Sequence, residues 1–338
     1  MTTITRSRPS GAGGSAPGSG ADEGSGPGSP SGPGRAPAGR TTRPRRPRAH
    51  AHEQRAGWAM LGPGMILLGL FVLVPAVLAF VLAFTNARLI SPYPATFVGL
   101  DNLTRLLADD TFWHALRNVA FFAVVVVPVQ AGLALGLALL IDAKVKGTTF
   151  FRTVYFLPVV TSMVVVSLLW LFMYRPDGLI NVLISRVTGG AVQGPDWLGD
   201  PTTAMPAIIL MSVWQGVGFH MVIWLSGLQT IPPDLHEAAG LDGVTRWQRF
   251  RYITWPGLAA TRSLILVTIT IQALSLFTQI SVMTQGGPLD STTTVVYEAV
   301  RSGFAQQQTG YASAISLVFF VIVLAISAVQ RFITRERD

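Results

Sequence analysis

Six stretches of this chain run 21 to 27 residues without a single Asp, Glu, Lys or Arg. They cover residues 58–84, 118–141, 153–174, 203–228, 263–284 and 310–330. An uninterrupted apolar run of roughly 20 residues is what an α-helix needs to cross about 30 Å of hydrocarbon. The pattern therefore predicts an all-α, polytopic membrane protein with six transmembrane helices. Pro63, Pro75, Pro128 and Pro158 fall inside the runs. They would break ordinary soluble helices, but in a bundle neighbouring groups satisfy the freed carbonyls. Gly132-x-x-x-Gly136 in the second run predicts close helix packing.

The first 57 residues follow a different pattern. They are dominated by Gly, Ser, Pro, Ala and Arg, with Met1 and Ile4 almost the only large apolar side chains. Nothing there offsets the entropy of ordering, so residues 1–57 read as a disordered tail and residues 58–335 as the membrane domain. The tail carries nine Arg against three acids, most of the chain's net charge of +8. Its basic run at 43–48 has no interleaved aromatics, which favours anionic membrane lipid over nucleic acid as its neighbour. The first apolar run is 27 residues, longer than the roughly 7–15 of a signal-peptide core.

Counting Lys and Arg on alternate sides of the spans gives 19 on the side of both termini and six on the other. The positive-inside rule then puts both termini in the cytoplasm. Only 12% of the chain is charged, and none of that charge lies inside a span. Proton-driven carriers normally keep an acid or a lysine there as the coupling group, whereas here His220 alone could titrate. The driving force is expected from another subunit. The absence of cysteine excludes disulfides, thiolate metal sites and cysteine nucleophiles.

The longest cytoplasmic loop, 229–262, holds most of the local signals. Pro232 and Pro233 stop the fourth span, Asp234-x-x-Glu237 has capping-box spacing, and Asp242-Gly243 is a turn dipeptide. Thr245-x-x-Gln248 repeats the capping spacing, which predicts helix, turn, helix. The second helix sets Arg246, Arg249 and Arg251 beside Trp247, Phe250 and Tyr252, a composition suited to headgroups or to a partner's groove. On spacing alone, an ordinary capped interfacial hairpin fits equally well.

Glu237-Ala238-Ala239, three residues, Gly243, nine residues, then Ile253-Thr254-Trp255-Pro256 resembles the EAA loop of membrane subunits of bacterial binding-protein-dependent ABC importers. Trp255 stands where that pattern usually has Leu. Further matches point to its carbohydrate-uptake, maltose-type branch. These are Phe151-Arg152 with Leu157-Pro158, the stretch from Trp214 to Gly218 before Leu228-Gln229-x-Ile231-Pro232, and Gly286-Gly287-Pro288 followed by Ser291-Thr292-Thr293-Thr294. The resemblance spans about 57–335.

It implies the six-helix fold of an importer permease in a bacterial cytoplasmic membrane. The chain would form half of a sugar pathway beside a second related permease subunit. Two ATPase subunits holding ATP and Mg, and an extracytoplasmic sugar-binding protein, would complete the machine. Glu237, Ala238, Ala239, Gly243, Ile253 and Pro256 would form the ATPase-coupling surface. The chain lacks the G-x-x-x-x-G-K-[ST] phosphate cradle at its two lysines, Lys144 and Lys146. ATP hydrolysis is therefore expected in a partner, and no cofactor in this chain.

Sugars are bound through hydroxyl hydrogen bonds and apolar ring faces. Thr268, Gln272, Ser275 and Gln279, spaced 4, 3 and 4, would share one face of the fifth span. The fourth adds Trp214, Gln215, His220 and Trp224 as pathway candidates. The competing reading of each is interhelical hydrogen bonding, about 0.6–2 kcal/mol per bond. Glycerol phosphate or a polyol is the nearest alternative cargo; a phosphate would want Arg or Lys facing the pathway, and the spans have none. A membrane-embedded enzyme needs paired acids or metal ligands. Asp109-Asp110 lies on the expected outer side and reads as a solvated loop, and His220 shares its span with no second ligand, so neither catalytic nor metal residues are assigned.

Overall fold

The computed structural model describes residues 49–143 and 148–335. The tail assignment for 1–48, and Lys144 and Lys146, lie outside the described residues. The chain divides into two units, Met1–Ala59 and Met60–Asp338, and the description below concerns the second. Helix α1 runs Ala49–Leu68, and so starts, with the stretch 49–57, ahead of the boundary expected between tail and membrane domain. Past Pro47 that stretch is rich in Ala, Glu, Gln and Arg, all good helix formers.

The described residues are helical, with one isolated bridge between Thr85 and Phe97. The first span continues from α1 through a π-helical turn at Gly69–Leu73 into α2 (Val74–Leu82), just where Pro75 lacks an N–H to donate. After α3 (Asp101–Leu107), Asp109 caps the 33-residue α4 (Asp110–Asp142) by accepting from the Thr111 N–H at 2.9 Å. Then come α5 (Thr148–Val160), α6 (Met163–Met173), α7 (Leu179–Val187) and α8 (Ala204–Leu228). The 229–262 loop contributes α9 (Pro233–Leu241), α10 (Arg246–Arg249) and α11 (Trp255–Gly257), and leads into α12 (Ala259–Leu274). Short helices α13 (Thr278–Met283) and α14 (Val295–Val300) precede the last span, α15 (Thr309–Arg335).

Among the described residues five helices are long and apolar enough to cross a membrane, and the expected third span is a sixth only as a bent pair. Helices α5 and α6 meet at 99°. The proline tolerance expected at Pro158 holds for one turn and then fails. The Thr161 hydroxyl bonds the Leu157 carbonyl at 3.2 Å, and Ser162 takes an extended ψ of 134° that starts a new helix.

Helix α8 is the centre of the bundle, with 67% of its most apolar window buried against α4, α5 and α12. Its glycines permit this. A methyl at Gly218 would lie 1.9 Å from the Tyr155 carbonyl oxygen of α5, and one at Gly216 would lie 2.0 Å from the Gln130 amide of α4. At Gly227 it would lie 2.3 Å from the Thr261 hydroxyl of α12. Gly132 and Gly136 do not play the predicted role, since a methyl on either meets nothing within 4 Å. The 60–82 span has no buried residue, a surface that suits hydrocarbon, which is as apolar as its leucines.

The far end of the bundle is held by polar contacts. Asn118 of α4 donates to the Asp290 and Thr293 carbonyls at 2.9 and 3.0 Å. Glu298 is buried between the Ser302 hydroxyl at 2.8 Å and the Arg301 guanidinium at 2.7 Å. Burial pushes its carboxyl above the usual range, and those two partners pull it back.

Gly218→Ala is expected to destabilise the subunit by about 1–3 kcal/mol, because the obstacle is backbone. Gly136→Ala is expected to leave the isolated subunit unchanged. Thermal unfolding of the two variants in detergent tests the pair.

Candidate functional site

A cavity of about 470 Å³ opens between α4, α8, α12 and α13. Its polar wall is Gln130, Ser212, Gln215, His220, Gln272, Ser275, Thr278 and Gln279, and Phe122 and Phe219 supply aromatic surface. No Asp, Glu, Lys or Arg lines it. Five of the eight residues expected along a pathway therefore meet at one cavity: Gln215, His220, Gln272, Ser275 and Gln279.

The other three sit elsewhere. Thr268 returns its hydroxyl to the Leu264 carbonyl of its own helix at 2.8 Å. Trp224 is buried, and its indole N–H donates to the Ala131 carbonyl at 3.1 Å, which joins α8 to α4. Trp214 packs on Trp170 with ring centroids 5.5 Å apart and lines a separate cavity of about 370 Å³ beside Tyr155 and Pro158.

The expectation of one continuous polar face on the fifth span is corrected. Helix α12 ends at Leu274 and α13 starts at Thr278. The Leu276 carbonyl released by this break accepts a hydrogen bond from the Thr294 hydroxyl at 2.7 Å, so the interruption leaves that group satisfied inside the bundle. Gln272 and Gln279 reach the same cavity from two short helices, not from one.

His220 is fully buried. Its Nδ1 lies 2.9 Å from the Gly216 carbonyl oxygen and 3.0 Å from the Gln130 side-chain nitrogen. Its Nε2 and the Ser212 hydroxyl have no hydrogen-bond partner among the described residues. Gln130 escaped the sequence reading because it stands alone in an apolar run. Its signal was that isolation, since an amide in hydrocarbon demands a partner. Amides, hydroxyls and an imidazole around a volume of this size, flanked by two phenyl rings, suit an uncharged polyhydroxyl molecule.

The second candidate is the 229–262 loop. The first expected capping box is not formed. Pro232 is the N-cap of α9, without a side-chain cap bond, and Asp234 lies inside the first turn. Proline at the first helical position has the required φ and no N–H to satisfy, so it displaces Asp234 from the cap. At the other end Gly243 adopts φ +69°, the Val244 N–H bonds the Ala239 carbonyl at 3.2 Å, and the Gly243 N–H bonds Gly240 at 3.3 Å. This is a Schellman stop, which favours glycine. Thr245 and Gln248 do form the second capping box, with bonds of 3.3 and 2.8 Å.

Of the residues expected at the coupling surface, Glu237, Ala238, Gly243 and Pro256 are exposed. Ala239 is buried, and Ile253 packs against the core. Leu235 and the 91% exposed Leu241 project from α9 and were not anticipated. Apolar residues in a loop between two prolines and a glycine were the available signal.

Comparison with known proteins adds an independent line. Residues 132–337 match the family described as binding-protein-dependent transport system inner membrane component. The chain is 34% identical over 310 residues to the diacetylchitobiose uptake system permease protein NgcF of Streptomyces coelicolor, covering 88% of each. It is 35% identical over 286 residues to the lactose transport system permease protein LacF of Rhizobium radiobacter, covering 83% of this chain and 94% of that one. The sn-glycerol-3-phosphate transport system permease protein UgpA of Agrobacterium fabrum is 35% identical over 245 residues, covering 72% and 82%. Among solved structures, a chain of a bacterial alginate ABC transporter, crystallised with an alginate pentasaccharide-bound periplasmic protein, superposes with a TM-score of 0.75. That match has 23% identity and covers 86% of this chain and 98% of the other.

Gln130→Leu removes the amide beside His220 and is expected to cost about 0.6–2 kcal/mol. Thermal unfolding in detergent measures it, and an unchanged midpoint would show that the pair contributes nothing.

Proposed function

The chain belongs to the family of binding-protein-dependent transport system inner membrane components, and from that premise we propose that it is the permease of an ATP-driven sugar importer, lining half of the pathway. The observation that carries the sugar reading is the uncharged, amide-rich cavity around His220. A neutral glycan would exchange water for the side chains of Gln130, Gln215, Gln272 and Gln279 and lay its apolar ring faces on Phe122 or Phe219. Similarity to permeases named for diacetylchitobiose and lactose supports the same reading.

The similarity to a glycerol-phosphate permease favours a second reading. A phosphate monoester entering this cavity would meet no Lys or Arg. Neutral sugar or polyol therefore ranks first.

In this reading both termini and the 229–262 loop face the cytoplasm, which the 19 to six distribution of basic residues supports. Helix α9 seats in an ATPase subunit through Glu237, Ala238 and the projecting Leu235 and Leu241, and Ala239, Ile253 and Pro256 hold the loop's shape. Two ATPase subunits supply ATP and Mg, a second related permease completes the pathway, and an extracytoplasmic binding protein delivers the cargo. The permease itself performs no covalent chemistry.

The mechanism follows from how the loop joins the cavity helices. Its first residues leave α8, which carries Gln215 and His220, and its last enter α12, which carries Gln272. The Thr230 hydroxyl bonds the Gly227 carbonyl at 2.7 Å, and a methyl on Gly257 would already press Ile231 at 3.0 Å. A push on α9 is thus passed to two walls of the cavity through short, closely packed segments.

Gly243→Asp is expected to insert in the membrane yet abolish uptake, since a side chain at φ +69° costs about 1–2 kcal/mol and remodels the stop of α9. Uptake of radiolabelled sugar, with recovery of the ATPase subunits on purification, tests this, and full uptake in the mutant would reject the coupling role. Gln272→Leu and Gln279→Leu should each weaken apparent transport affinity roughly 2- to 10-fold with assembly intact. An unchanged KM would remove them from the pathway.

A further inference from the structure

From the cytoplasmic surface beside α12 we infer a binding site for the headgroup of an anionic phospholipid, built by Arg246, Arg249, Arg251 and Arg262 with a ladder of aromatic rings. Residues 246–262 contain four arginines and no acid. Among the described residues none of the four is in an ion pair, and the Arg249 Nε is shielded from solvent without a hydrogen-bond partner. Four guanidiniums in a segment without an acid give it a positive potential that attracts an anion.

The rings specify what kind of anion. Trp247 stacks on Phe250 with centroids 5.8 Å apart, and Phe250 meets Trp255 at 6.0 Å. The Arg262 guanidinium lies over Trp255 at 4.7 Å, and that of Arg251 lies 6.0 Å from the Tyr252 ring. The ladder thus runs from α10 to the first turns of the membrane-crossing α12. Trp247 and Tyr252 are 70% and 73% exposed. Such surface is unfavourable in bulk water and suited to the headgroup zone, where Trp and Tyr concentrate. Guanidiniums beside it would pair bidentately with phosphodiesters. A soluble phosphate would satisfy the arginines and leave the rings uncovered. A protein groove remains the competing occupant, because the coupling helix α9 adjoins this segment.

The inference rests on the cytoplasmic placement of the loop proposed above. It deepens that reading, because a lipid bound here would brace the segment that joins α9 to the cavity wall. Its test uses the full-length permease with its ATPase subunits in vesicles of equimolar phosphatidylglycerol and phosphatidylcholine. Spin-labelled versions of the two lipids report the motionally restricted fraction of each. The wild type is expected to restrict phosphatidylglycerol preferentially. The R246Q/R249Q/R251Q variant should lose roughly fivefold in that preference per guanidinium removed, equivalent to about 1 kcal/mol each, and R246K/R249K/R251K should retain most of it.

A preference unchanged in the glutamine variant would overturn the site. So would displacement of the lipid by inorganic phosphate. Loss of the ATPase subunits from that variant with lipid preference intact would assign the surface to the ATPase instead. The chain has no cysteine, so Val187→Cys, 78% exposed in the loop expected on the opposite side of the membrane, reports sidedness separately with a membrane-impermeant maleimide in whole cells. Absence of labelling until the cells are opened would overturn the orientation, whereas labelling in intact cells with no lipid preference would overturn the lipid site alone.

Discussion

The structure depends on how closely other backbones approach helix α8. At Gly218 the Tyr155 carbonyl of α5 occupies the place a side chain would take, and at Gly216 the Gln130 amide does the same from α4. In hydrocarbon, helices gain nothing by hiding leucines from lipid, so association relies on close packing and on interhelical hydrogen bonds. Both occur at this crossing. The small residues bring α4 within reach, and the reach lets Gln130 meet His220 at 3.0 Å. Trp224 adds a second tie one turn further on, through the Ala131 carbonyl.

Once α8 is surrounded in this way, the polar groups of four elements have one place to collect. The break between α12 and α13 leaves Gln279 bordering the same space as Gln272 and His220, and Thr294 satisfies the carbonyl that the break exposes. The cavity has polar walls because the bundle has satisfied most of its other polar atoms elsewhere. Thr268 and Trp224 illustrate the difference: each has a partner within the protein and neither borders the cavity.

The 229–262 loop uses another economy. Proline starts α9, a Schellman turn at Gly243 stops it, and the Thr245–Gln248 box starts the next helix. Each is a local device with few tertiary contacts, so the loop holds its shape while exposing Glu237, Leu241 and the arginine-rich segment. Its two ends are the ends of cavity helices, which gives one short path between a force applied at α9 and the walls around His220.

Local signals were legible in the sequence wherever the physics is local. Uncharged runs marked the spans, because charge in hydrocarbon is costly at any position. Asp242-Gly243 marked the turn, because only glycine is at ease at φ +69°. Thr245 and Gln248 marked a helix start, because both partners of that box lie within three residues. What failed depended on neighbours far along the chain. The break after Leu274 exposes a carbonyl that is satisfied by a group sequence spacing does not relate to it, Thr294 at Leu276. Gly132 and Gly136, which promised close packing, face open space, while Gly216 and Gly218 take that role. The sequence alone determined where the six apolar segments lie and where the 229–262 loop between the fourth and fifth of them turns. Tertiary structure decided which polar side chains share a cavity, because in hydrocarbon a buried amide's position is set by the partner it finds, and that partner lies on another helix.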